Sequence, residues 1–439
     1  MKTVFKIFLL FLMAFTCKVH AQNLLTPDDA VAIALQKNFD IIIAKNDVDI
    51  AKINNNPATA GMMPKVNFTT SDAFNLNNIN QKFTTGQEVQ KNFVPINSFN
   101  MGVYANWTIF DGMKMYATKD KLATLQSLGE LQLKNQIQNN IAQILNIYYD
   151  IVRQKQQINA LKESANISLE RVNLSQKKFD IGYSDKTPLL QAKIDYAEIK
   201  MNIQKQENNL KQLKIDLNKI LGRSVDIDFD VIDAIQLNEI PSLNQLSEYA
   251  KNENIEIQLI NKNIEVLEYQ KKEIKSQRLP QVSINTGYGF LQSNSKAGLQ
   301  LFNRSFGPLL GFAASVPLYN GGIYKKEIQV SDLTILSKNI ELEKIKMDVD
   351  ANILKAYQNY LFAQNTLTSY EENVILAKEN AYISMQRFRL NQTNSLEIKE
   401  AQSSYETALY NVIAARYDAK IAEITLKKIN NEFIQYEQK

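Results

Sequence analysis

The sequence runs to 439 residues, with 50 lysines and arginines against 46 aspartates and glutamates, one cysteine and one histidine. Cys17 and His20 both fall in a predicted signal peptide, so the mature chain is expected to lack thiol and imidazole. Zinc centres, cysteine nucleophiles and Ser-His-Asp triads are thereby excluded, and no cofactor is expected, while paired carboxylates stay available. Loss of Lys2, Lys6 and Lys18 with the signal brings the charge close to neutral, which leaves no basic footprint for nucleic acid.

The signal peptide is read over residues 1–21. Lys2 and Lys6 precede the apolar run Ile7 to Phe15, and Val19-His20-Ala21 supplies the residues before the cut. The run is too short to span a bilayer, which takes roughly 20 apolar residues. Lipidation at Cys17 is the rival reading, although Ala14-Phe15-Thr16 makes a poor lipobox. No later stretch holds 18 continuous apolar residues, so a membrane-embedded form could only be a closed β-barrel.

A first structural repeat is predicted over 22–222. Thr26-Pro27-Asp28-Asp29 opens a helix that is expected to run to Asn54-Asn55-Asn56-Pro57. Strands follow at about 64–76 and 98–110. In the second, Phe99, Met101, Val103, Ala105, Trp107 and Ile109 alternate with Asn100, Gly102, Tyr104, Asn106 and Thr108. A helix then runs from about Met115 to Ile181, on the order of 100 Å at 1.5 Å per residue. It turns at about 182–188 and returns to Leu221.

A linker at 223–240 contains Asp226-Ile227-Asp228-Phe229-Asp230, which lacks the rest of a calcium-loop pattern and is read as a solvated belt. The second repeat, 241–436, follows the same plan. Pro241-Ser242-Leu243 opens a helix to about Ser276, strands are expected at about 280–291 and 306–319, and the second tip at about 391–397. Met63-Pro64-Lys65-Val66 returns as Leu279-Pro280-Gln281-Val282, and Phe110-Asp111-Gly112 as Tyr319-Asn320-Gly321. A unit this long is not a solenoid repeat.

Heptad spacing marks the long helices as coiled-coil-like: Ile137, Ile141, Ile144, Tyr148 and Ile151 in the first repeat, Tyr405, Ala408, Val412 and Ala415 in the second. The Tyr148-Tyr149 pair reads as packing along that seam. Four strands cannot close alone, since the smallest outer-membrane barrels use about 8. Two copies would supply 8 strands and three would supply 12, with room for a lumen. The small polar strand face suits a wetted interior, and the face carrying Phe99 and Trp107 suits lipid or its interface.

In this order and spacing, the two repeats resemble the TolC-type outer membrane efflux protein family. The residues that carry the resemblance are Pro64 and Pro280 at the strand entries, Phe110-Asp111-Gly112 and Tyr319-Asn320-Gly321-Gly322 at the exits, and the turns Phe179-x-x-Gly182 and Phe388 to Ala401. The resemblance implies a mainly α chain with a membrane β-barrel. A homotrimer would form a 12-stranded barrel in the outer membrane lipid of a Gram-negative cell, continued by a 12-helix tunnel into the periplasm. It further implies a non-enzymatic exit duct of a tripartite efflux or type I secretion system. Conduction would be passive, with a periplasmic adaptor and an inner-membrane pump as partners.

By the same resemblance, Gly182, Tyr183, Ser184, Asn391, Gln392 and Thr393 form adaptor-contacting tips. Asn391 replaces the family's glycine, a mild change because asparagine also tolerates the left-handed conformation. Glu397 and Glu400, six and nine positions beyond Asn391, correspond to the acids of the periplasmic constriction; Pro188 and Gln191 stand at the first-repeat equivalents. The plain alternative makes Glu397 and Glu400 ordinary solvated helix residues. Two other readings of the chain stay open at this point, a periplasmic coiled-coil adaptor or scaffold and a periplasmic carboxylate enzyme.

Overall fold

The computed structural model describes residues 24–298 and 300–433. The predicted signal peptide, with Cys17 and His20, lies outside them. In chain order the elements are β1 (Leu24–Leu25), α1 (Pro27–Lys37), α2 (Phe39–Asn54), β2 (Lys65–Lys82), β3 (Glu88–Asp111), α3 (Lys114–Asp180) and α4 (Thr187–Ile220). They continue with β4 (Asp230–Val231), α5 (Leu243–Glu253), α6 (Ile255–Ser276), β5 (Gln281–Ser295), β6 (Phe302–Ser315), α7 (Ile323–Arg389) and α8 (Ser395–Ile429). The chain divides into two compact units. One takes residues up to Ala44, Leu133–Ile255 and Lys346 onward; the other takes Lys45–Gln132 and Glu256–Ile345.

The second of these units contains an antiparallel sheet in the order β2-β3-β5-β6. Its register sorts the side chains into two faces. One carries Asn67, Thr69, Asn100, Tyr104, Asn106, Ser283, Asn285 and Ser305; the other carries Phe68, Phe74, Met101, Trp107, Ile284, Phe290, Leu310 and Phe312. The polar face borders a cavity of about 1100 Å³ lined by Lys65, Asn106, Thr108, Gln281 and Ser315.

The strands end differently from the alternation. β2 and β3 extend to Lys82 and back to Glu88, and over this outer stretch they pair only with each other. Hydrogen bonding across a mostly polar hairpin holds that extension, where Val94 is buried but its neighbours set no apolar period. β6 stops at Ser315 because Pro317 has no N–H to give to a ladder. At the exit of β3 the Asp111 carboxylate accepts from the Met115 amide (3.0 and 3.1 Å), which caps the start of α3.

In the other unit, the predicted α3 seam is the core. Ile137 is 1% exposed, and Ile141, Ile144, Tyr148 and Ile151 are 0% exposed. Each such side chain contributes about 1.5–3 kcal/mol on burial. Tyr148 and Tyr149 meet edge to face with centroids 5.4 Å apart. The Tyr148 hydroxyl does more than pack, since it donates to the Leu25 carbonyl (2.8 Å) and accepts from the Ile232 amide (3.2 Å).

That hydroxyl serves an element the sequence did not disclose. β1 and β4 pair in parallel, and Phe229 and Val231 enter the core beside Ala30, Ala34, Leu217 and Leu221. The Asp226–Asp230 stretch is therefore not a solvated belt throughout. Its aspartates face outward or pair with Lys155 and Lys214, while Phe229 anchors it and Ile227 stays 42% exposed.

The helix expected over 26–56 is two helices, broken at Asn38. The Asn38 backbone is extended (ψ 127°), its side chain accepts from the Ile41 amide (3.0 Å) and donates to the Ile220 carbonyl (2.7 Å). The helix opened by Ser242 breaks in the same way at Asn254 (ψ 126°), which stands 216 positions after Asn38. An asparagine amide can end one helix and cap the next, so apolar periodicity carries past a real break.

Candidate gate at two helix–turn–helix tips

Both tips are built from one turn. After α3, Gly182 takes a left-handed φ of 71°, the Tyr183 amide donates to the Lys178 carbonyl (2.9 Å) and the Gly182 amide to the Phe179 carbonyl (2.9 Å). After α7, Asn391 takes φ 59°, the Gln392 amide donates to the Arg387 carbonyl (2.8 Å) and the Asn391 amide to the Phe388 carbonyl (3.3 Å). This 6→1 and 5→2 pair is the Schellman motif. Asparagine thus does glycine's work at the second tip.

The returning helices start differently. Asn394 is a side-chain N-cap of α8, whereas Lys186 at the N-cap of α4 gives no side-chain bond and Asp185 before it accepts from the first helical amide. The Asp185 carboxylate accepts from the Thr187 amide (2.9 Å), and the Asn394 side chain accepts from the Leu396 and Glu397 amides (3.0 and 2.9 Å). Tyr183, Ser184 and Gln392 stay at or near the surface of the turns.

The two acids differ in their surroundings. Glu397 is ion-paired with Arg387 and accepts from the Thr393 hydroxyl. Glu400 is exposed and, among the described residues, has no ion-pair partner. One acid is thus spent on holding the turn, and the other presents an open carboxylate. Pro188, opposite Glu397 in the repeat, sits in the first turn of α4 where its missing N–H costs nothing.

Sequence reasoning missed the charged residues that connect the hairpins. Asp195 on α4 is ion-paired with Arg171 on α3 and with Lys399 on α8 (3.0 Å), and it accepts from Gln191 (2.8 Å). Burial opposes charge on Asp195. The hydrogen bonds from Gln191 and Lys399 and the nearby Arg171 and Lys399 charges outweigh it, so its carboxyl is held below the usual range. Lys178 donates to the Phe388 carbonyl (2.7 Å) with its ammonium 3.7 Å from the Phe388 ring centre, and burial pushes its pKa down. Arg389 pairs with Glu170. No short motif flags these residues, because their partners lie far away in sequence.

The sheet aromatics belong to the other unit. Trp107, 44% exposed, donates its indole N–H to the Met62 carbonyl (2.9 Å). Phe99 meets Phe290 edge to face with centroids 6.3 Å apart. Both lie on the apolar face.

A duplicated plan of helix, long strand pair, long helix and returning helix, with matched hairpin tips, defines a class of membrane channel chains. Residues 30–223 and 246–432 match the family described as outer membrane efflux protein, and the chain belongs to that family. The gap between the two matched segments, 224–245, covers β4 and the start of α5. The chain is 21% identical over 331 residues to the outer membrane efflux protein BepC of Brucella suis biovar 1 (strain 1330), covering 74% of this chain and 70% of that one. It is 18% identical over 347 residues to the outer membrane protein TolC of Escherichia coli (strain K12), covering 76% and 70%. In fold it is similar to the outer membrane protein VceC of Vibrio cholerae, with a TM-score of 0.76 at 14% identity over 92% of this chain and 96% of that one. The resemblance read from the sequence holds. The chain is an outer membrane efflux channel protein and not an enzyme.

Proposed function

We propose that three copies of the mature chain, starting at Gln22, close a 12-stranded barrel in the outer membrane. Their helices would continue as a 12-helix tunnel, with each chain supplying repeats at 22–222 and 241–436 joined by the 223–240 linker. The observation that carries this is a pair of unfilled surfaces on the single chain. β2 and β6 are open sheet edges, which an isolated sheet leaves prone to pairing. On α7, Leu333, Ile340, Met347, Leu354 and Leu361 recur every seven residues and are 64, 64, 73, 50 and 38% exposed. A heptad stripe facing water is half of a coiled-coil seam, and a second copy supplies the other half.

In this reading the channel is the exit duct of a tripartite efflux or type I secretion system, with an adaptor contacting Gly182, Tyr183, Ser184, Asn391, Gln392 and Thr393. Glu397 and Glu400 line the periplasmic constriction, and three copies ring it with negative charge. Opening separates the hairpins at the Asp195 and Phe388 links. Phe99 and Trp107 meet lipid. Light scattering of the detergent-extracted protein tests the assembly. A mass of three chains with conductance in planar bilayers is expected; a one-chain mass or recovery in the soluble fraction overturns the reading.

A further inference from the structure

Three of the chain's glycines gather under one aromatic ring. Gly102 on β3 is paired with Gly289 on β5, and Tyr104 is paired with Gly287. All four are on the polar face of the sheet. A Cβ added to Gly102 would lie 2.8 Å from Cε2, Cζ and the hydroxyl oxygen of Tyr104. One added to Gly289 would lie 2.8 Å from the same hydroxyl; one added to Gly287 would meet the Val103 carbonyl oxygen at 2.5 Å as well as Tyr104 Cδ1 at 2.7 Å. Strand side chains ordinarily stand out from the sheet. Here the ring is laid down along the strand, over backbone that carries no side chains.

Glycine is a poor strand residue, because it loses the most backbone freedom and packs nothing. Three at one spot mark a close approach. A sheet facing only solvent gains little from flattening a tyrosine at that cost, whereas the wall of a conduit gains cross-section. Gly307, paired with Gly289 on its other side, would meet nothing within 4 Å. The bed is therefore specific to Tyr104 and not a general feature of the polar face.

We propose that Tyr104 sets the bore of the strand region. Its glycine bed keeps the ring out of the lumen, and the width open to bulky solutes at that level depends on the ring staying down. The proposal rests on the reading that the polar face lines the lumen, and it adds a positioning relationship that the reading does not contain.

The test uses one engineered thiol. The sole cysteine of the sequence, Cys17, lies in the predicted signal peptide, so Asn106→Cys gives a single site on the polar face, one pair closer to α3 than Tyr104. Intact cells are treated with a small charged thiol reagent and with a maleimide on a polyethylene glycol chain. Gly289→Ala meets only the far end of the Tyr104 side chain, so it should lift the ring while the sheet stays intact. The expected result is that Gly289→Ala slows the bulky reagent several-fold relative to the small one. Tyr104→Ser in the same background should restore the ratio, and Gly307→Ala should leave it alone. An unchanged ratio in Gly289→Ala, or a loss that Tyr104→Ser does not restore, overturns the role of Tyr104. No labelling of Asn106→Cys by the small reagent overturns the lumen reading instead, and the proposal with it.

Discussion

Gly222 and Asn431 stand at the same place in the two repeats and meet the same neighbour in opposite ways. Both end a returning helix in the left-handed region, with φ 65° and 55°. A Cβ on Gly222 would fall 2.1 Å from the Lys37 carbonyl oxygen. Asn431 instead donates its amide to the Glu253 carbonyl (2.6 Å) and accepts from Gln138 (2.9 Å). Lys37 and Glu253 are themselves repeat equivalents. One repeat excludes a side chain where the other uses one as a bridge.

The two positions should therefore respond differently to substitution. Gly222→Ala meets backbone, which cannot swing away, and adds a left-handed penalty of about 1–2 kcal/mol. A loss of at least about 3 kcal/mol is expected once the clash is included. Asn431→Gly keeps the conformation and loses its hydrogen bonds, at about 0.5–1.5 kcal/mol each. Heat-induced loss of the folded band on gels ranks them, and equal sensitivity would refute the difference.

Asp195 supplies a pH prediction. Its carboxyl is held below the ordinary carboxylate range by Gln191, Lys399 and Arg171, so the folded state prefers it ionised. Such a group stabilises the fold fully above its unfolded pKa, and that stability is lost as pH falls through the folded pKa. The Arg171 side chain is 3% exposed, and stripping its partner leaves a buried charge, at a cost of about 3–5 kcal/mol. Asp195→Asn should lower thermal stability at neutral pH and flatten its fall below pH 4. An acid profile matching the wild type would remove Asp195 from the account.

The constriction acids should separate by their partners. Glu400→Gln removes the open carboxylate and is expected to weaken block by polyvalent cations in bilayer recordings. Glu397→Gln weakens block less, since Arg387 already offsets its charge, but it loosens the turn that Thr393 and Arg387 hold to it. Equal effects on block from the two variants would contradict this division.

What could be read in the sequence was whatever has a period or a local cause. Alternation from Phe99 to Ile109 gave the faces of β3, and Asn391 could be placed at a turn because it stands 209 positions after Gly182, where the family resemblance puts a glycine. The breaks at Asn38 and Asn254 were hidden because apolar spacing runs through them. The β1–β4 pair was hidden because two residues carry no pattern. Nothing local in the sequence singles out Arg171, Asp195 and Lys399, because only the meeting of α3, α4 and α8 gives them a common site. Tyr104 read as one polar-face residue among several, because the glycines beneath it come from two strands.

The α7 stripe gives the last prediction. Met347 and Leu354 are 73% and 50% exposed in the single chain, so a charge at either position costs that chain little by itself. In an assembled seam the same change loses the burial of an apolar side chain, about 1.5–3 kcal/mol, and forces a charge toward apolar partners. With three copies the loss recurs at each of three interfaces. Met347→Glu with Leu354→Lys should leave the helical circular dichroism of the extracted protein intact while shifting its mass to one chain and abolishing conductance. Carboxylate and ammonium seven residues apart on one stripe are too distant to neutralise each other as a helical i,i+4 pair does. If the double variant keeps the assembled mass, the stripe is not the seam, and the sheet edges alone must hold the copies together.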